Sequence, residues 1–397
     1  MKKKILFCIQ NLDMGGPQKS LLSLLYDIDY KRYDVDLMIW SQNGSLKKYL
    51  PKEVKIVNLP IELSYLRLSK SEIVKNSLKM VFNGHHRLVK SGFLTTIKYR
   101  KNMAIGRQKF WEKNKKNFPT LDNRYDIAIA VSGGNLCYFI SDCVSATKKY
   151  TWVRSDYRVF NRDKKIDKKY FSKVDGIITV SNICKDIMDE EFPEFSYKTH
   201  VFYNLLPFKL YEKMGKDTSQ IIKTKNETVL LTISRLDPNK GLDLAVKAMK
   251  KLKSQDIRVK WYILGDGTYR KTLQKKIAKY DLENDFILLG FKNNTYQFIK
   301  DCDIFVHPSR FEGKSNAVDE AKYACKPIVV TNYPTVREQI INLHNGIIVS
   351  MSPEDLAEGI KEMMKNEELK LNCVSNLEIT KNSMTSTIAS FEQIINN

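Results

Sequence analysis

Short apolar runs alternate along the chain with longer stretches in which apolar residues recur every third or fourth position. KKILFCI, VDLMIW, YDIAIAVS, KYTWV and DGIITVS read as strands in the first half. TVLLTIS, VKWYILG, DFILLGF, DIFVHPS, KPIVVT and GIIVS repeat the scheme in the second. Helical patterns such as QKSLLSLLYDI separate several of them, and strands spaced by helices predict parallel sheets covered on both faces. Two such series predict two similar α/β domains. The polar stretch Pro207–Thr228 is the expected boundary, giving domains 1–207 and 208–380, with a last helix inside 381–397. Ser352, Pro353 and Asp355 predict a capped helix start.

The 397 residues suffice for such a pair of domains, and a 43% hydrophobic content builds full cores. Seven scattered cysteines form no C-x-x-C pair, so neither a zinc site nor a redox pair is signalled. The opening MKKKILFCIQ is too short in apolar residues for a signal peptide, and no run is long enough to span a membrane. The expectation is a cytoplasmic protein. The net charge is +21, and residues 61–118 alone hold fourteen basic and three acidic side chains. This segment lacks strand signals and reads as amphipathic basic helices. Such a surface attracts phosphates on nucleic acid, anionic lipid or a diphosphate-linked substrate; a general lysine bias is the competing reading.

In open parallel sheets, ligands bind beyond the carboxyl ends of the strands. Arg235 and Lys240 flank the Asp237–Pro238 turn after TVLLTIS, where two cations beside a helix start suit a diphosphate; a solvated loop is the plain alternative. Gly265, Asp266 and Gly267 turn at the same edge, followed by the Lys292 loop, which either holds a nucleotide base through its backbone or merely connects. Glu312 sits in a loop after DIFVHP. Glu320 lies eight positions later on a helical face with Ala317 and Ala324, so it points inward and needs a partner, either protein or ligand hydroxyl. In the first half Gly15–Gly16 follows the first strand and allows close approach to the backbone. The pairs Asp34/Asp36 and Asp301/Asp303 fall at the amino ends of strands, opposite the binding crevice, which argues against a metal. None of the five histidines has ligand spacing, and His307 reads as a packed residue.

Arg235, Lys240, Gly265-Asp266-Gly267, the Glu312-x7-Glu320 pair and Pro327 resemble the family-four retaining glycosyltransferases of the GT-B class, over almost the whole chain. FEGKSNAVDEAK is most similar to enzymes that build bacterial surface polysaccharides or teichoic acids. The resemblance implies two Rossmann-like domains facing a central cleft and a last helix returning to the first domain. It implies a nucleotide-diphosphate sugar, with a UDP-sugar expected, and no separate cofactor. Arg235 and Lys240 would hold the diphosphate, Glu320 the ribose, and Glu312 the donor sugar. Backbone groups of Gly313, Lys314, Ser315, Asn316 and Ala317 would meet sugar and phosphate, and Gly16 would admit the diphosphate to the first domain. Arg154 in TWVRSDY stands where relatives often carry His; it cannot act as a base but can pair with phosphate or a sugar hydroxyl. Lys314 stands where an aromatic residue is frequent.

The leading expectation is retaining hexosyl transfer to a cell-surface glycan, teichoic-acid or lipid-linked acceptor. The basic segment 61–118 would then lie on the inner leaflet, with Phe110 and Trp111 as anchors. Alternatives are a non-catalytic nucleotide-sugar-binding protein on the same fold and a nucleotide-sugar epimerase. Nucleic-acid binding is not expected, because the segment lacks interleaved aromatic platforms.

Overall fold

The computed structural model describes residues 2–13, 15–41, 44–60, 62–63, 77, 80–214, 221–222, 224, 227–380 and 387–396. Contacts divide the chain into two compact units, Met1–Tyr203 with Ser386–Asn397, and Asn204–Thr385. The division falls slightly before the expected residue 207. Asn204 already donates to the Asn316 side chain at 2.6 Å, and Phe208 packs on Tyr296 and Tyr323, all in the second unit. Parts of the expected boundary (215–220, 223, 225 and 226) lie outside the described residues.

The first unit holds β1 (Lys3–Ile9), β2 (Tyr33–Ile39), β3 (Lys55–Val57), β4 (Arg124–Ala130), β5 (Ser145–Val153), β6 (Gly176–Thr179) and β7 (Thr199–Val201). Their order is β3-β2-β1-β4-β5-β6-β7, and every pairing is parallel. The second unit holds β8 (Thr228–Ile233), β9 (Val259–Leu264), β10 (Phe286–Gly290), β11 (Ile304–His307), β12 (Ile328–Thr331) and β13 (Ile347–Val349). The order β10-β9-β8-β11-β12-β13 repeats the Rossmann-like scheme. Both faces of these strands are covered, which is why they appear as continuous apolar runs rather than alternating ones. Ile5, Leu6, Phe7 and Cys8 are all buried, as are Leu230, Leu231, Trp261 and Ile263. The strand order reverses between β1 and β4 and again between β8 and β11. Loops leaving these four carboxyl ends are therefore splayed apart and open a crevice.

Two strands carried no apolar signal: β3 and β7 are three residues each and lie at the sheet edges. The helix Pro353–Lys365 begins as expected, with the Ser352 hydroxyl accepting from the Asp355 N–H at 3.0 Å. The described part of the last helix, Ile388–Asn396, belongs to the first unit: Phe391 lies 5.5 Å from Phe202 and 6.3 Å from Phe7, and Glu392 pairs with Arg32 at 2.8 Å.

The basic segment contains the helices His86–Lys98 and Met103–Asn114; residues 64–76 and 78–79 lie outside the described part. Its expected anchors are corrected by the packing. Phe110 and Trp111 are buried, Trp111 stacking on Phe118 at 4.8 Å and donating to Asp142 at 3.0 Å. The helix Met103–Asn114 turns these rings into the first core, where they cannot reach a surface. The exposed large apolar residues in the described part of this segment are instead Val81, Phe82 and, on the preceding helix, Phe93, Leu94 and Ile97.

The acidic pairs at the strand starts have structural partners. Asp36 accepts from Tyr125 at 2.9 Å and lies 3.4 Å from Lys4, while Asp303 accepts from the Val229 N–H at 2.8 Å.

Candidate active site

The loops after β8 and β11 meet beside the switch point of the second sheet. The Arg235 loop is shaped by two glycines. At Gly265 (φ 138°) an added Cβ would lie 1.9 Å from the Ser234 carbonyl oxygen. At Gly241 (φ 62°) it would lie 1.8 Å from the Pro308 carbonyl oxygen. Only glycine allows these backbones to touch. The Gly265–Gly267 turn thus braces the segment Ser234–Leu236, and Gly241 lets the β11 loop pass over the start of the helix Leu242–Ser254. Arg310, which carried no signal in the sequence, locks the same crossing. It pairs with both Asp243 oxygens at 2.8 and 2.9 Å and donates to the Pro238 carbonyl at 2.6 Å.

Glu312 is the centre of the cluster. One carboxylate oxygen takes Lys240 Nζ at 2.7 Å and His307 Nε2 at 2.9 Å. A carboxylate only accepts, so Nε2 carries the His307 proton. Nδ1 of His307 is buried and has no hydrogen-bond partner among the described residues. Burial alone would raise the Glu312 pKa. Lys240 and His307 outweigh it and bring the carboxyl down to about 2, so it is ionised throughout the physiological range. The histidine read as a packed residue is indeed buried, but it packs onto the site carboxylate.

Exposure separates the two cations. The Lys240 side chain is 17% exposed and matched by Glu312, whereas Arg235 is 75% exposed with Asp237 at 3.8 Å. Charge offered outward from this edge therefore comes chiefly from Arg235.

The helix Asn316–Tyr323 carries Glu320 inward, fully buried. Its partners are protein groups: the Tyr211 hydroxyl donates to it at 2.7 Å and the Thr295 hydroxyl at 3.3 Å. Burial, followed by the Glu320 charge, raises the Tyr211 pKa well above its ordinary value, so the phenol remains a donor. Ser315 caps the helix, and Gln339 clamps it by accepting from the Ser315 N–H at 2.9 Å and donating to the Ser315 carbonyl at 2.8 Å. The Lys314 side chain is buried in an ion pair with Asp319. Gly313 is buried, while Asn316 and Ala317 are half-buried at the helix start. Asp266 is exposed and caps the Gly267 N–H at 2.8 Å; Lys292 lies half-buried in the loop after β10.

Residues 215–378, which carry Arg235, Lys240, His307, Glu312 and Glu320 but not Tyr211, match the family described as glycosyl transferases group 1. The chain carries a group 1 glycosyltransferase domain of the GT-B, family-four type. It is 24% identical over 373 residues to the Campylobacter jejuni N-acetylgalactosamine-N,N'-diacetylbacillosaminyl-diphospho-undecaprenol 4-alpha-N-acetylgalactosaminyltransferase, covering 93% of this chain and 92% of that one. It is 22% identical to the Staphylococcus aureus poly(ribitol-phosphate) alpha-N-acetylglucosaminyltransferase over 54% of this chain and 42% of that one. Three archaeal glycosyltransferases are matched over about half of their own length. Among solved structures, Anabaena HepE in complex with UDP and glucose superposes with a TM-score of 0.69 at 18% identity, over 99% of this chain and 98% of that one.

The remaining expected residues of this glycosyltransferase lie in the first unit. Gly16 opens the helix Gly16–Asp27 beyond β1, with Pro17 in its first turn. Arg154 follows β5, its guanidinium 4.3 Å from the Trp152 ring centroid. Burial lowers its pKa to about 9, which leaves it charged at neutral pH.

Proposed function

We propose that this protein transfers a hexosyl unit, with retention, from a nucleotide-diphosphate sugar to a glycan, teichoic-acid or lipid-linked acceptor of the bacterial envelope. One observation supports the reading: the Lys240–Glu312–His307 cluster lies beyond β11, with Arg235 exposed beyond β8, in a group 1 transferase domain. A UDP-sugar is the proposed donor, supported by the UDP held in the structurally similar HepE protein. The acceptor class is supported by the diphospho-undecaprenol and poly(ribitol-phosphate) named for the two relatives above.

In this reading the bond from anomeric carbon to diphosphate breaks first, leaving an oxocarbenium-like centre. Arg235 offsets charge growing on the leaving phosphate. Lys240 stands ready to share its proton donors between Glu312 and that phosphate, and preorganised charges of this kind act where charge develops. Glu312, held ionised, accepts hydroxyls of the donor sugar, and Glu320 accepts ribose hydroxyls. The acceptor hydroxyl oxygen then bonds to the anomeric carbon from the face the phosphate leaves, and the departing phosphate oxygen takes its proton. Arg154 and Gly16 are proposed as donor contacts from the family resemblance, with Arg154 a charged substitute for the frequent His. A binding protein or an epimerase is not favoured, because the relatives that match are named as transferases.

We also propose that the first unit docks on anionic lipid. No helix among the described residues is long and apolar enough to cross a membrane. The helix His86–Lys98 and its flanks expose Phe93 (63%), Leu94 and Ile97 (56%) beside Arg87, Lys90, Lys98, Arg100 and Lys101. From Ile73 to Trp111 the sequence contains no Asp or Glu. An apolar stripe framed by cations matches the interface of an anionic bilayer.

A thermal-shift screen with UDP-, GDP- and ADP-sugars, followed by NMR of the product anomer, tests the transferase reading. It predicts stabilisation by a UDP-sugar and the donor's anomeric configuration in the product. Inverted product, or epimerised sugar without acceptor, would refute it.

A further inference from the structure

The first sheet has a switch point of its own, and its β4 loop carries a group of side chains that the donor chemistry does not use. Ser132, Gly133 and Gly134 leave the carboxyl end of β4, next to β1, and the helix Asn135–Cys143 follows at once. Gly134 has φ 75° and ψ −135°, a conformation that side chains oppose. The Arg162 guanidinium lies directly over this loop. An added Cβ at Gly134 would sit 3.0 Å from Nη2, and one at Gly133 would sit 3.1 Å from Nη1.

Arg162 is held in place by the Phe160 ring, whose centroid is 4.5 Å from its Cζ, and by Asp167 at 4.0 Å. Asp167 is itself fully buried and accepts from the Tyr138 and Tyr157 hydroxyls. A second guanidinium approaches from the helix Met103–Asn114. Arg107 donates through Nε to the Met103 carbonyl at 3.2 Å, and both burial and the nearby Arg162 charge lower its pKa. The other local carboxylate, Asp163, is taken by Lys109 at 2.6 Å. Arg162 thus has one carboxylate at 4.0 Å and Arg107 a backbone carbonyl at 3.2 Å, while Asn102, at the start of the Arg107 helix, donates to the Asn161 carbonyl at 3.0 Å beside Arg162. Bringing like charges together in a partly buried place is unfavourable; a planar donor fork matches the oxygens of carboxylate and phosphate alike, and two such forks together match the larger charge of a phosphate.

We propose that Arg162, Arg107 and the Gly133–Gly134 backbone bind a phosphoryl group of the acceptor. This rests on the transferase reading and adds to it: the acceptor is an organic phosphate, either the diphosphate of a lipid carrier or the phosphodiester of a polyol-phosphate chain. The same charge pair serves both sources.

Isothermal titration of the full-length protein, with UDP saturating so that the second-unit site is filled, provides the test. Three probes are used: inorganic pyrophosphate, a short-chain polyprenyl diphosphate and a glycerol-phosphate oligomer. Wild-type protein is expected to bind pyrophosphate and to bind one of the two organic probes more tightly, which names the source. Arg107→Gln is expected to weaken that binding at least tenfold with UDP affinity and melting temperature unchanged. Gly134→Val, which pushes Arg162 aside, is expected to weaken it as well. Equal binding by Arg107→Gln and wild type, or no phosphate binding to UDP-saturated wild type, overturns the proposal. Failure of UDP itself to bind wild type is a separate readout and overturns the transferase reading instead.

Discussion

The two sheets share one strand order, yet their switch points are equipped in opposite ways. In the second unit the acidic groups are inside and answered: Glu312 by Lys240 and His307, Glu320 by Tyr211 and Thr295. In the first unit the loops are glycine and the side chains above them are arginines, with Asp167 the buried counter-charge. Carboxylates that are ionised and oriented suit the hydroxyls of a sugar and a ribose. Guanidinium groups over bare backbone suit phosphate. The comparison teaches that the common scaffold fixes where a ligand sits, while the residues at the strand ends decide what it is.

The contrast is broken most directly at Arg235. Its guanidinium is the exposed cation of the second crevice, so Arg235→Ala should cost about 2–4 kcal/mol of barrier stabilisation, roughly 30- to 1,000-fold in kcat. Wild-type turnover in that variant would remove the leaving-group role. Gly265→Ala attacks the same residue indirectly, since a Cβ 1.9 Å from Ser234 O must displace the arginine loop. Substantial loss of kcat/KM with a lowered Tm is expected; an unchanged enzyme would show that the brace is dispensable.

Next in size is the support of Glu320. Tyr211→Phe removes a hydroxyl from a buried carboxylate, a loss of about 1–3 kcal/mol. It should raise the KM for the nucleotide sugar while affecting kcat less. A change confined to kcat would place Glu320 elsewhere in the reaction.

A smaller effect concerns pH. The Glu312 pKa is depressed to about 2, below its ordinary value near 4.5. Stability from its ion pair is therefore complete above about pH 4.5 and is lost as the pH falls toward 2. Lys240→Met should flatten this part of an acid-denaturation profile measured by circular dichroism. An identical profile in both proteins would separate Glu312 from Lys240. The smallest effect on the isolated enzyme belongs to the membrane face. Phe93→Ser with Ile97→Ser should leave soluble turnover near wild type and abolish flotation with anionic vesicles; undiminished flotation would locate membrane contact elsewhere.

Much of the fold is legible in the sequence because parallel strands buried on both faces write themselves as apolar runs. β3 and β7 leave no such trace: Lys55 and Ile56 of β3 are exposed and His200 and Val201 of β7 are only half-buried, whereas β13, equally short and also at an edge, buries Ile347 and Val349. Arg235, Lys240, Glu312 and Glu320 are legible because they follow strand ends or share a helical face with alanines. Their partners are not. Tyr211 and Glu320 are 109 positions apart, and Gln339 clamps Ser315 from 24 positions away, so only folding brings them together. Arg310 looks like any loop cation until Asp243 is placed beside it. Phe110 and Trp111 mislead for a related reason. Basic neighbours suggest a surface helix, but the rings fall on the side that meets Phe118 and Tyr138.

The central claim is that the β8/β11 crevice, and not the β1/β4 one, receives the nucleotide diphosphate. A crystal structure of the protein with UDP tests it outright. The ribose hydroxyls are expected on Glu320 and the diphosphate beside Arg235 and Lys240. UDP seated on the Gly133–Gly134 loop with the Arg235 side empty would contradict it.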